Sequence, residues 1–138
     1  MKLQVKVHNP YTKKIDLVEI ENIAKKVWYR ESHVDGYIEI ILVNDEYIKD
    51  LNKKFLNKNS PTDVIAFHFS KEKDKLFEGE IYISLDRVKE QACRYNVKLK
   101  EELHRMVIHG ILHFLGYGDK NEKEKQIMTN RENYYLTI

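Results

Sequence analysis

Apolar and polar positions alternate through residues 2–8 (KLQVKVH), the pattern of a half-buried strand. After a turn at Pro10 and Tyr11 the period lengthens. Asp16 with Glu19 three residues on is a capping-box signal, and Leu17, Ile20, Ile23, Ala24, Val27 and Trp28 then share one face of a helix. Asp35 and Gly36 turn the chain into residues 37–43, an almost wholly apolar run that suits a strand covered on both faces. Asn44 caps the next helix. Asp45 and Glu46 stand at its positive end, and Tyr47, Ile48, Leu51 and Phe55 form its expected buried stripe. Residues 57–61 read as loop, 64–69 as a second apolar strand, 70–75 as a polar loop and 80–83, after Gly79, as a third. Ser84 caps a helix with Leu85, Val88, Ala92 and Tyr95 on one face. A further helix covers about residues 100–115. A last one starts at Asn121, with Glu124 completing a capping box, and buries Ile127, Met128 and Tyr135.

Helices alternate with strands and then dominate. The expected fold is α/β (α+β): a single domain over residues 1–138, with a mixed sheet of about four strands and helices on both faces. The second and third apolar strands form an antiparallel pair joined by the polar loop. The 138 residues suit one domain, and hydrophobic and charged shares of 42% and 33% suit a real core under a water-facing surface. A net charge of +2 neither demands nor excludes a nucleic-acid partner. The single cysteine, Cys93, allows no internal disulfide, which fits a reducing, cytoplasmic setting; its place in a helical pattern reads as a small core hydrophobe. The opening MKLQVKVHNP lacks the apolar stretch of a signal peptide, and no segment is apolar enough to span a membrane.

The chemistry concentrates in HGILHFLGYGD, residues 109–119. His109 and His113 are four apart on a helix, so both imidazoles project from one face and can grip one ion. Gly116 can end the helix with positive φ, and Asp119 can return as a third ligand. Three protein ligands leave positions open for water, the layout of a catalytic metal site. A histidine pair alone is a weak signal; the glycine and acid at the right offsets make it specific. The spacing is that of the metzincin proteases, so the helix is metzincin-like. Those enzymes need Glu after the first histidine, and here that residue is Gly110, so peptidase activity is disfavoured. A mid-helix glycine also costs about 1 kcal/mol relative to alanine, which points to close approach of substrate or of a packed neighbour.

The same segment resembles the signature of the YbeY family of metal-dependent endoribonucleases. Leu51-Asn52 followed by Pro61-Thr62-Asp63-Val64-Ile65-Ala66-Phe67, and Gly79-Glu80-Ile81-Tyr82-Ile83-Ser84, are similar to that family's other motifs in the same order. The resemblance implies an RNA phosphodiester substrate, a role in ribosomal RNA maturation and ribosome quality control, and small-subunit ribosome components as partners. It also implies one divalent transition metal held by His109, His113 and Asp119. Zinc suits mixed nitrogen and oxygen ligands best; nickel and manganese are the other candidates. Two departures stand out. The family's third ligand is usually histidine, here Asp119. A family arginine proposed to touch the scissile phosphate is replaced by Leu56, which makes Arg105, four residues before His109, a candidate substitute; its other reading is an ion-paired helix residue. Thr62 and Asp63 line the cleft or turn the chain into its strand, and Lys53 and Lys58 track a phosphate backbone or are merely solvated. His68 is an extra ligand or a surface histidine. The expected function is single-strand-directed RNA hydrolysis by metal-activated water. The alternatives are a ribosome-assembly factor with a largely structural metal, or a metal-dependent hydrolase of a small substrate.

Overall fold

The structure, a computed structural model, describes residues 2–11, 14–58, 62–69 and 75–138. Runs of period two form β1 (Leu3–His8), β2 (Asp35–Val43), β3 (Val64–His68) and β4 (Leu76–Ser84). Runs of period 3.6 form α1 (Leu17–Glu31), α2 (Asp45–Leu56), α3 (Leu85–Tyr95), α4 (Leu99–Phe114) and α5 (Glu122–Thr137). The strands lie in the order β1-β2-β4-β3. The first three are parallel, and β3 runs antiparallel to β4, with Val64 opposite Ile83 and His68 opposite Gly79. This is the mixed sheet that the pattern predicts, with two differences. β3, although an apolar run, is an edge strand. β4 begins at Leu76 rather than Glu80, because residues 76–79 continue the pairing with β2 from Asp35 onward. Most of the polar loop expected at residues 70–75, and residues 59–61 of the earlier loop, lie outside the described residues.

Side-chain alternation assigns the two faces. Ile38, Ile40 and Leu42 of β2 and Ile81 and Ile83 of β4 join α1, α4 and parts of α3 and α5 in the main core. Val43 and Ile65 meet Ile48 of α2 in a smaller cluster on the other face. Each fully buried Ile or Leu contributes about 1.5–3 kcal/mol of burial free energy. Because α2 is the one helix among the described residues that contributes to this cluster, Tyr47 and Phe55 do not reach a closed core. They are 47% and 63% exposed and lean instead on Tyr82 and Phe67 of the open sheet. Ile48 and Asn52 take the buried places. The buried stripes of α3 and α5 are narrow: Tyr95 and Ile127 are exposed, and so is Cys93, turned about 100° from buried Ala92.

Helix starts follow the caps. The side chains of Asp16, Asn44, Ser84 and Asn121 accept the backbone N–H of Glu19, Tyr47, Arg87 and Glu124, each worth about 1 kcal/mol. The expected box at α5 is half displaced, since the Glu124 carboxylate accepts from Lys120 N–H rather than from Asn121. The central helix is α4, with Leu103, Met106, Val107, Ile108, Ile111 and Leu112 all buried. Gly110 has a packing reason: a Cβ there would stand 2.8 Å from Ile81 Cδ1, so its absence lets α4 press onto β4.

Candidate metal centre

His109 and His113 emerge one turn apart near the end of α4, their rings 4.6 Å apart and nearly perpendicular. The helix then closes as a Schellman motif. Tyr117 N–H donates to Leu112 C=O and Gly116 N–H to His113 C=O, with Gly116 at φ +101° where a side chain would be strained. Tyr117 OH anchors the returning loop by donating to Glu31 Oε1 at 2.6 Å. The other oxygen of Glu31 accepts from Tyr135 OH and Arg131 Nη2. Burial works against ionisation of Glu31, but these donors hold its carboxyl below the ordinary range.

The anchored loop delivers Asp119. Its Oδ2 lies 3.3 Å from His113 Nε2 and 3.6 Å from His109 Nε2, and the two Nε2 atoms are 3.0 Å apart. The three residues form a group whose ligand atoms all fall within 4.8 Å of one another and could hold a metal ion. The separations match what three donors roughly 2.0 Å from one ion require, and two imidazoles with one carboxylate suit a divalent transition metal.

Glu132 of α5 orients the first ligand. It is 5% exposed, and its Oε2 lies 2.7 Å from His109 Nδ1. Arg105 Nη1 donates to its Oε1 at 3.0 Å, and Arg105 Nη2 to Asn133 Oδ1 at 2.8 Å. Burial pushes the His109 imidazole toward neutrality, but the bond to Glu132 and its charge outweigh that and raise its pKa. With Nδ1–H committed to Glu132, Nε2 faces Asp119 and His113. No motif marked Glu132 in advance. The available signal was its spacing: four after Met128 and three before Tyr135, it places a carboxylate on the apolar stripe of α5.

The other candidate residues divide between two clefts that meet at this centre. Lys58 and Thr62 line the cleft beside His113, together with Asn52, Leu56 and the edge of β3. Asp63 and Arg105 line the cleft beside His109. Asp63 also anchors its own strand, accepting from Val64 N–H and from Gln91 Nε2. Lys53 is exposed on α2 and lines neither cleft. His68 stands exposed at the end of β3, stacked 4.8 Å from Phe77 and outside the ligand group. Among the described residues no helix is long and apolar enough to cross a membrane.

Known proteins resemble this chain along most of its length. The profile of the family described as endoribonuclease YbeY matches residues 6–138. The endoribonuclease YbeY of Karelsulcia muelleri is 37% identical over 129 residues, covering 91% of this chain and 90% of its own. That of Cytophaga hutchinsonii is 40% identical over 119 residues, covering 86% and 80%. The solution structure of TM1509 from Thermotoga maritima superposes with a TM-score of 0.67 at 30% identity, covering 97% of this chain and 86% of that one.

Proposed function

The chain belongs to the endoribonuclease YbeY family, and we propose that it is a metal-dependent endoribonuclease that cuts single-stranded RNA in ribosomal RNA maturation and ribosome quality control. The observation that carries this reading is the convergence of His109, His113 and Asp119 where two open clefts meet, one of them bearing Lys58. When bound, the metal, zinc by the donor set, supplies Lewis-acid polarisation of the phosphodiester and activation of a water. The protein's part is placement. Glu132 fixes the His109 ring, the Tyr117–Glu31 bond fixes the loop of Asp119, and Lys58 and Thr62 offer a cation and a hydroxyl to the RNA backbone. Leu56, 47% exposed in the same cleft, supplies no charge there. Arg105 would serve a phosphate only by sharing the guanidinium nitrogens that it gives to Glu132 and Asn133. Small-subunit ribosome components are the partners and the cytoplasm the setting that this role implies.

The test is cleavage of ribosomal RNA fragments by metal-stripped and metal-restored protein beside His113→Ala. Cleavage that returns with metal and is lost in the variant supports the reading, and peptide substrates should remain intact. Equal cutting by the native protein and the variant would mean a contaminating nuclease.

A further inference from the structure

The two clefts that meet at the metal centre differ in charge. The one beside His113, about 440 Å³, has Lys58 as its charged residue apart from the histidine. The one beside His109, about 550 Å³, sets the carboxylates of Asp63, Glu102, Asp119 and Glu132 against Arg105 and Lys125. A phosphate is attracted to the first and repelled from the second. What the second cleft suits is the uncharged part of a nucleotide, its base.

Glu102 is the side chain there that the fold leaves unexplained. It is 3% exposed, yet among the described residues it makes no hydrogen bond or ion pair. Among the described residues the sealed and unpartnered side-chain atoms are Gln91 Oε1 and Arg131 Nε, so the Glu102 oxygens are not sealed in; they open on the cleft. Burial and the neighbouring carboxylates of Asp63 and Glu132 push the Glu102 carboxyl up, and Arg105, one turn along α4, works against that without closing on it. A carboxylate this deeply set, with no protein partner and its oxygens facing a cleft, is costly unless something polar meets it there, which calls for a ligand or a role. Met106 and Met128, both largely buried, form part of the cleft wall, and Tyr95, exposed at the rim, offers an aromatic face to a flat ring.

We propose that the His109-side cleft is a nucleobase subsite in which Glu102 accepts the N1–H and N2–H donors of a guanine. Among the four RNA bases, guanine alone presents two adjacent N–H donors on its pairing edge. Adenine and cytosine set a donor beside an acceptor that a carboxylate repels, and uracil has one donor between two acceptors. The subsite deepens the endoribonuclease reading and rests on it for its substrate class, since it places the base of one nucleotide next to the phosphate being cut.

The test is titration of the full chain with GMP, IMP and AMP, read by the NMR methyl signals of Met106 and Met128. IMP lacks the N2 amino group, so it isolates one hydrogen bond to a charged acceptor. That bond is worth about 1.5–3 kcal/mol, or roughly 10–100-fold in affinity. GMP should shift both methyl signals and bind at least about 10-fold more tightly than IMP or AMP. Glu102→Gln, which keeps the shape, should bring the three within about 3-fold of one another while leaving the ligand-free spectrum unchanged elsewhere. Equal binding of GMP and AMP, methyl signals that do not move, or a GMP preference that survives Glu102→Gln would each overturn the proposal. GMP selectivity in a protein that cuts no RNA would remove the nuclease reading and keep the subsite. RNA cleavage without GMP selectivity would do the reverse.

Discussion

Glu132→Gln would remove one charge from the Arg105–Glu132–His109 chain while keeping its shape. The carboxylate accepts from both sides, 2.7 Å from His109 Nδ1 and 3.0 Å from Arg105 Nη1. An amide has one acceptor. If its oxygen turns to His109, its NH₂ meets the guanidinium, donor against donor; if it turns to Arg105, the imidazole loses its partner. Either way one charge-assisted hydrogen bond is lost, about 1.5–3 kcal/mol. Comparable partners of metal-ligating histidines hold roughly 10–100-fold in metal affinity, the same range expressed as about 1.4–2.8 kcal/mol. Zinc affinity, measured by competition with a chelating dye, should therefore fall by about 10–100-fold. Arg105→Ala should lower it less, because the acceptor for His109 stays in place. Circular dichroism of the metal-free variant should match the native protein. An unchanged zinc affinity in Glu132→Gln would refute the claim that this carboxylate aims the His109 ring.

Three further outcomes follow from the geometry. Gly110→Ala places a Cβ 2.8 and 2.9 Å from Ile81 Cδ1 and Cγ2; overpacking of about 1–3 kcal/mol should outweigh the roughly 1 kcal/mol gain in helix propensity, so urea denaturation should show a net loss, and a gain would contradict the packing account. The Glu31 carboxyl is held low in the folded state, so its contribution is present above its unfolded value near 4.5 and is lost as pH falls through the folded one; Glu31→Gln should flatten that acid limb of the stability curve, and an identical limb in both proteins would count against it. Asp119→Ala should weaken metal binding while Asp119→His retains it and moves the rising limb of the pH–rate profile to lower pH, because an imidazole in place of a carboxylate leaves the bound ion more positive; full metal content in Asp119→Ala would place the third ligand elsewhere.

Strand and helix order was legible in the sequence because each period and cap is local. Asp16, Asn44, Ser84 and Asn121 announce their helices, and each makes the bond expected of it. The His109–His113–Asp119 grouping was legible because a helix period and a glycine stop fix it within eleven residues. Burial was less legible, since it depends on what covers a face. Tyr47 and Phe55 lie on a stripe that one helix cannot close over, Ile127 and Cys93 lie one step off narrow contact lines, and Tyr95 stands exposed at the end of α3. The supports of the site were not legible at all. Glu31 reaches Tyr117 across 86 residues, Glu132 reaches His109 across 23, and no spacing rule joins residues that meet only through tertiary packing.

The central claim is that His109, His113 and Asp119 hold one metal ion. Elemental analysis of protein purified without chelator tests it most directly, with His109→Ala and His113→Ala beside the native chain. The account predicts about one divalent transition metal per native chain and close to none in either variant, with both variants still folded by circular dichroism. Full metal retention in both variants would contradict it.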